Sequence, residues 1–205
     1  MRNPVKDLIE SRVSTNYYDT SRQLFDNEIE SLVSQATRAP SAYNFQNWKF
    51  IAVRTHEAKA RLKAVSFGQQ KVVDASVTFI ICGLLKAYEQ LSDTLQSSID
   101  AGIMSHSEAE SWVDMAKRTH VGNPELQRDE AVRSASLAAM TLMIAAQGMG
   151  LCTGSMSGFE PQGVAREFQL AATELPVILV TVGYPAAGNR PQKPRRRIQE
   201  VLEFT

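Results

Sequence analysis

Val77-Thr-Phe-Ile-Ile-Cys82 is a run of β-branched, aromatic and small apolar residues, and it predicts the centre of the fold. Its side chains are largely apolar on both alternating faces, which is typical of a strand covered on both sides. Two further runs, Trp48-Lys-Phe-Ile-Ala-Val53 and Pro176-Val-Ile-Leu-Val-Thr-Val182, also predict strands. We therefore expect a sheet in which the 77–82 run is a central strand.

Helices outnumber strands in the rest of the sequence. Apolar periodicity and capping residues predict helices over 7–13, 27–36, 57–65, 84–102, 105–119, 129–147 and 161–168. Asn27 with Glu30, and Ser105 with Glu108, have the spacing of capping boxes. The 129–147 helix is rich in alanine, which permits the close approach of another helix.

Composition indicates an ordinary globular chain and excludes several classes of function. The 205 residues suit a single domain, and 22 basic residues balance 22 acidic ones, so a general attraction to nucleic acid or to membranes is not expected. Cys82 and Cys152 lie among apolar residues and are interpreted as small buried side chains rather than a disulfide. Neither they nor the three histidines have metal-site spacing.

The N-terminus and one uncharged stretch, 134–159, bear on where the protein is located. Met1-Arg-Asn-Pro-Val-Lys-Asp7 has no apolar run, so no signal peptide is expected. Residues 134–159 contain no charge, but their second half is too polar and glycine-rich for a membrane span. We interpret that stretch as a buried helix that ends in a glycine-rich loop, and we expect a cytoplasmic protein.

Two polar clusters lie in the first fifty residues. In segment 12–16, Arg12, Ser14 and Asn16 alternate, so an extended backbone would place them on one side, facing a phosphate or a heterocycle edge. Loop 39–48, Ala39-Pro-Ser-Ala-Tyr-Asn-Phe-Gln-Asn-Trp48, is rich in small residues and amides. Each cluster alone also fits a simple polar or capped turn.

Two more clusters lie in the second half. Loop 150–159, Gly150-Leu-Cys-Thr-Gly-Ser-Met-Ser-Gly-Phe159, allows a backbone to approach a flat ligand closely, although it is not a dinucleotide or Walker A motif. The basic tail 190–197 holds five of the 22 basic residues and fits either a phosphate clamp or a solvated surface. No Ser/His/Asp arrangement or other acid–base signature appears, which fits an enzyme whose cofactor carries the chemistry.

Taken in order, these clusters resemble the nitroreductase family of flavoproteins, from about Asp7 to Val201. Arg12-x-Ser14 is similar to the family's N-terminal segment, and Ala39-Pro-Ser-x-x-Asn44-x-Gln46-x-Trp48 to its most characteristic loop. Phe67-Gly-Gln-Gln-Lys71 corresponds to a segment that often carries a flavin-contacting lysine. Gly150-Leu151 and Gly158-Phe159 match the loop beneath the flavin, and Lys193-x-Arg195 resembles the C-terminal phosphate-binding segment.

The resemblance implies one domain over residues 1–205, with an α+β fold, a mixed central β-sheet flanked by helices, and an intertwined homodimer with two FMN sites at its interface. By this resemblance, Arg12, Lys193 and Arg195 hold the phosphate, and Ser14, Asn16 and Lys71 face the pyrimidine side of the ring. The partner supplies Pro40, Ser41, Ala42 and Asn44. The remaining implied contacts are Val13, Gln69, Ser155, Met156, Ser157 and Gly158.

The implied activity is FMN-dependent, ping-pong hydride transfer from NADH or NADPH to quinones, nitroaromatics or other electrophilic acceptors. The extra helices, here 84–119, often cover the substrate pocket in this family. A family member with different flavin chemistry, such as dehalogenation or flavin breakdown, and a non-catalytic flavin-binding protein are the alternatives.

Three positions depart from the family pattern. Asn47 stands where the loop usually has proline, and Asn16 stands where relatives usually have Arg or Lys. Gly68 occupies a position where some members place a flavin-contacting asparagine. The last two departures affect the expected pyrimidine contacts and the reduction potential, and they leave the phosphate site intact.

Overall fold

A four-stranded antiparallel sheet organises residues 3–205, the part of the chain that this computed structural model describes. Its order is β1 (Trp48–Val53), β2 (Val77–Leu84), β4 (Glu174–Gly183) and β3 (Cys152–Met156). Met1 and Arg2, part of the N-terminal stretch considered above, lie outside the described residues. The β2 strand is central and buried along nearly its whole length, as predicted.

Eight α-helices surround the sheet within the described residues. They are α1 (Pro4–Ser11), α2 (Asp26–Ala36), α3 (His56–Ala64), α4 (Lys71–Asp74), α5 (Leu91–Asp100), α6 (His106–His120), α7 (Pro124–Gly148) and α8 (Pro161–Glu167). Short 3-10 turns occur at Ala42–Asn44, Ala87–Glu89 and Ile198–Glu200. No helix of this part of the chain is long and apolar enough to cross a membrane.

The sheet has an apolar core on each face, which confirms the predicted α+β architecture of a sheet flanked by helices. Phe79 and Ile81 of β2 pack with α2 and α7 in one core, while Ile80 and Cys82 pack with α3, α4 and α8 in the other. Both cysteines are buried and free, as expected. The four strands pair antiparallel, and the parallel component is a single bridge between Ser14 and Thr153.

Helix starts follow the predicted chemistry, with one change of register. The Ser105–Glu108 capping box is present: the Ser105 hydroxyl accepts from the Glu108 N–H, and the Glu108 carboxylate accepts from the Ser105 N–H. In α2 the equivalent carboxylate is Glu28, which accepts from the N–H of Phe25 at 2.8 Å. The predicted pairing of Asn27 with Glu30 is therefore wrong.

Residues 84–102 and 150–159 differ from the elements predicted for them. The predicted helix over 84–102 is divided into the end of β2, a 3-10 turn and α5. The glycine-rich loop 150–159 contains the edge strand β3, which the sequence did not predict. Position 154 of β3 requires glycine, because a Cβ there would lie 2.5 Å from the Thr15 carbonyl oxygen. The loop is therefore a strand that accepts a close neighbour along its edge.

The alanines of α7 pack inside their own chain. Ala135, Ala139 and Ala146 are fully buried against α2 and the sheet. The opposite surface of α7 instead exposes Leu137 and Met140, each about two-fifths accessible (42% and 41%). An apolar helix surface is thus left open, and it is a different surface from the alanine face.

Candidate functional site

Segment 12–16 runs along the free edge of β3. The Thr15 N–H donates to the Thr153 carbonyl at 2.8 Å, next to the bridge between Ser14 and Thr153. Thr15 is buried, whereas Ser14 and Asn16 are exposed and Arg12 is half-buried. The predicted alternation is therefore present, and it leaves Ser14 and Asn16 accessible on the same side.

Asn189 fixes the end of this segment, and sequence reasoning missed it. Its side-chain oxygen accepts from the N–H groups of Asn16 (2.8 Å) and Tyr17 (3.1 Å). Its amide nitrogen donates to the carbonyls of Tyr17 and Ala186. One amide thus satisfies four backbone groups from two segments 170 residues apart, a long-range relation that no local pattern signals.

The turn after β3 meets the segment that precedes α4. The Gln69 side-chain nitrogen donates to the Gly158 carbonyl at 2.7 Å. Ser157 is exposed, and Ser155 and Gly158 are half-buried. The Met156 side chain is buried in the core beside Phe159, so only its backbone is available to a ligand.

Lys71 begins α4 two residues after Gln69, and its side chain is half-buried. Within residues 3–205 no carboxylate lies within ion-pair distance of its amine. Burial lowers the pKa of Lys71 below its ordinary value. A cation that is partly desolvated and lacks a counter-charge suits an anionic or electron-rich ligand.

The basic residues around the tail fall into two groups. Arg196 and Arg197 both pair with Glu200 at 3.1 Å. Arg12, Lys193 and Arg195 have no ion pair within the described part of the chain. The Gln192 side chain donates to the Arg12 carbonyl at 3.1 Å, which brings the tail to segment 12–16. The three residues predicted to hold phosphate, like Arg190 of the same tail, thus have no carboxylate partner within the described residues.

These residues form one group, called here the strand-edge set: Arg12, Val13, Ser14, Asn16, Gln69, Lys71, Ser155, Met156, Ser157, Gly158, Lys193 and Arg195. The contacts just described link its segments along β3 and the turn that follows it.

Pro40, Ser41, Ala42 and Asn44, called here the loop set, lie elsewhere. They precede β1, which is the opposite edge strand, and the first three line a cavity of about 310 Å³ against Arg133 and Leu137 of α7. The β2 and β4 strands separate β1 from β3, and Met156 of the strand-edge set lies level with Ile51 of β1. Three strand spacings amount to roughly 14 Å. Within the described residues no hydrogen bond joins the loop set to the strand-edge set, so one chain keeps the two sets apart.

Solved structures share this α+β fold and define the class of protein to which it belongs. A nitroreductase from Bacillus subtilis, ydfN, superposes with a TM-score of 0.91 at 28% identity, covering 98% of each chain. A nitroreductase from Exiguobacterium sibiricum 255-15, solved in complex with FMN, has a TM-score of 0.91 and covers 100% of this chain and 99% of its own. At 24% identity, that second likeness shows the fold alone.

Sequence comparison gives the family. The model of the nitroreductase family matches residues 9–184. YodC of Bacillus subtilis (strain 168) is 33% identical over 184 residues, which are 86% of this chain and 87% of the relative. Its name describes it as an inferred NAD(P)H nitroreductase. The chain belongs to the nitroreductase family and is an oxidoreductase, as its motifs predicted.

Proposed function

We propose that the protein is an FMN-dependent NAD(P)H oxidoreductase that works as a homodimer. The observation that carries the proposal is the pattern of unpaired cations. Among residues 3–205, Arg12, Lys193 and Arg195 lack carboxylate partners at one part of the strand-edge set, and Lys71 lacks one at another. A ligand with a phosphate and an electron-rich ring would supply the counter-charge for both.

The residues present fit FMN. Guanidinium groups of Arg12 and Arg195, with Lys193, would bind the phosphate. Ser14, Asn16 and Lys71 would face the pyrimidine edge, and the backbone of 155–158 would lie beside the ring. When bound, FMN supplies two-electron transfer from NADH or NADPH to an acceptor. The protein contributes orientation, exclusion of water and positive charge.

The dimer is supported by what one chain leaves uncovered. The loop set lies too far from the strand-edge set to contact the same ring, so we infer that it serves the site of a second chain. Leu137, which lines a cavity with the loop set, and Met140 of the same helix are exposed. The C-terminal residues also carry exposed apolar side chains, Ile198, Val201, Leu202 and Phe204. Surfaces of this kind are expected at protein interfaces.

We place the acceptor beside the loop set. A cavity of about 340 Å³ lies between that loop and α5–α6, with Asn44 and Glu108 among apolar walls from Leu95, Ile103, Met104 and Trp112. An apolar cavity with an indole suits a planar aromatic acceptor, and the Glu108 carboxylate disfavours an anionic one. Quinones and nitroaromatics have that chemistry.

Phosphate binding is tested by comparing FMN with riboflavin, which lacks the phosphate. Arg195→Ala should weaken FMN binding by about 1.5–3 kcal/mol, the scale of a charged hydrogen bond. Riboflavin affinity should hardly change. Arg197→Ala, which removes an arginine already paired with Glu200, is the matched control. Equal losses for both ligands in Arg195→Ala would mean that the tail acts through folding or dimer contacts.

Turnover is tested with both nicotinamides and a panel of acceptors. Because donor and acceptor would share one face of the flavin, double-reciprocal plots should be parallel. Intersecting lines would indicate a ternary complex and a separate acceptor site. Flavin that is not reduced by NAD(P)H would favour dehalogenation or flavin breakdown, and reduction without turnover would favour a binding protein.

A further inference from the structure

Loop 39–48 has an unusual backbone. Tyr43, Asn44 and Gln46 all have positive φ angles, of 51°, 54° and 49°, although none of them is glycine. Asparagine tolerates this region, but for a bulky residue such as tyrosine it is sterically costly. A conformation of this kind persists only where neighbouring groups hold it in place.

Hydrogen bonds close the loop mainly upon itself. The Gln46 N–H donates to the Ser41 hydroxyl at 2.9 Å, and the Asn44 N–H donates to the Ser41 carbonyl at 3.1 Å. The connection to the rest of the chain comes later, where the Leu84 N–H donates to the Asn47 carbonyl at 2.8 Å. These bonds define the shape of the loop near its ends, and they leave Tyr43 to be held by packing.

His120, the last residue of α6, supplies that packing. Its ring lies 5.2 Å from the ring of Phe45, at 85°, and 6.2 Å from that of Tyr43, at 77°. Both are edge-to-face arrangements, which aromatic pairs prefer. Trp112, two turns earlier on α6, meets Tyr43 in the same way at 6.2 Å. One helix therefore holds the side chain of the most strained loop residue.

The orientation of His120 is fixed from one side of its ring. Nδ1 lies 2.9 Å from the Ala116 carbonyl oxygen and 2.9 Å from the Thr119 hydroxyl oxygen, so the hydrogen-bond contacts of the ring are made at this nitrogen. The other nitrogen, Nε2, is buried and has no hydrogen-bond partner within the described residues. The ring thus meets the loop through shape and packing, and no hydrogen bond from Nε2 takes part.

We propose that His120 is a positioning residue for the flavin site: its ring holds Tyr43 and Phe45, and so keeps Ser41, Ala42 and Asn44 in the geometry that contacts the flavin. The inference rests on the proposed function. It also explains why a buried nitrogen without a partner is tolerated, since the position requires a flat ring anchored at Nδ1.

The test measures flavin affinity in the purified dimer. His120→Ala should weaken FMN and riboflavin binding equally, by about tenfold, the scale on which supporting residues affect a bound group. The losses are equal because the loop contacts the ring and not the phosphate, in contrast to Arg195→Ala. His120→Phe should restore part of the affinity, because phenylalanine keeps the ring packing against Tyr43 and Phe45 although it lacks the Nδ1 anchor.

Two further variants separate positioning from stability. Tyr88→Leu alters another aromatic neighbour of His120 that lies outside the loop, and it should lower the melting temperature while flavin affinity stays near wild type. Tyr43→Ala removes the contact from the loop side and leaves every side chain of α6 itself unchanged. It should reproduce the affinity loss, and the double variant with His120→Ala should lose little more.

Several results would overturn the inference. Wild-type affinity in a folded His120→Ala or Tyr43→Ala dimer would show that the contact does not position the loop. A His120→Phe variant as weak as His120→Ala would show that ring packing is not the link. Failure of the wild-type protein to bind FMN at all would instead reject the proposed function, and this inference with it.

Discussion

Lys71 is the residue whose surroundings say most about the chemistry of the site. Reduced flavin carries negative charge near N1 and O2, so a cation there stabilises the reduced form more than the oxidised form. In the proposed site, Asn16 stands where the family resemblance implies a cation, which would leave Lys71 as the main positive charge on that edge. Its partial burial strengthens its effect on a nearby charge.

Lys71→Met should therefore lower the flavin reduction potential by about 30 mV or more, which equals 1.4 kcal/mol for a two-electron couple. Asn16→Arg should raise it. Lys63→Met is the control, because the Lys63 amine bonds to the Gln70 side chain at 2.6 Å and is not part of the predicted site. Redox titration measures the potential of each variant. Unchanged potentials in both site variants would reject the assignment of Lys71 and Asn16 to the pyrimidine edge of the flavin.

Cys82 makes stability depend on alkaline pH. Burial, with the nearby Glu174 carboxylate, raises the pKa of its thiol to about 12. In the unfolded chain a thiol has a pKa near 8.5, so between about 8.5 and 12 the unfolded state releases a proton that the folded state keeps. The stabilising effect of this neutral thiol is full below pH 8.5 and declines as pH rises.

The wild-type free energy of unfolding should thus fall by about 2–3 kcal/mol between pH 8.5 and 10.5 through this residue alone. Cys82→Ala should lack that part of the decline, so its deficit relative to wild type should shrink with pH in urea titrations. Val53→Ala, in the same apolar core, should show a constant deficit. A constant deficit for Cys82→Ala as well would contradict the prediction.

At the scale of elements, strands with strong apolar composition could be predicted and β3 could not. Cys152-Thr-Gly-Ser-Met156 has no apolar alternation, and it is a strand because β4 and segment 12–16 supply partners on both sides. Partners that lie far away in sequence leave no local pattern. The helix predicted over 84–102 begins later, at Leu91, for a related reason, since Leu84 pairs with Glu174 and the Leu85 N–H donates to the Thr173 carbonyl.

The contact between β2 and α7 is close enough to require glycine. A Cβ on Gly83 would lie 2.3 Å from the Ala131 carbonyl oxygen, which belongs to backbone and has little room to move. Gly83→Ala should therefore destabilise the fold by about 3 kcal/mol or more. Gly148→Ala, whose Cβ would meet nothing within 4 Å, should leave stability unchanged or slightly raised. Denaturant titrations of the two variants test the contrast.

For the whole molecule, sequence motifs predicted the family and nominated the site residues, and the family resemblance also implied that the loop set comes from a second chain. Lys193 and Arg195 could be nominated for the phosphate because they belong to a basic run near the end of the chain, whereas Arg12 was nominated through the family resemblance. Asn189 and His120 were not, because each acts through backbone or rings far away in sequence.

The open surface of α7 is where we expect the second copy to bind. Leu137→Glu should place a charge in the dimer interface, so light scattering should show monomers at micromolar concentration. Flavin affinity should fall in the same variant, because the loop set would no longer reach the partner's site. Ala64→Glu, at an exposed position at the end of α3, is the control and should remain dimeric. A flavin-loaded Leu137→Glu monomer would contradict the shared site.

The separation of the strand-edge set from the loop set has a genetic consequence. If every site draws on two chains, an allele damaged only at Arg195 and an allele damaged only at Asn44 affect different halves of the same site. In a mixed dimer one site receives both lesions and the other receives neither. Two inactive alleles expressed together should therefore complement each other, and random pairing would restore about a quarter of the sites.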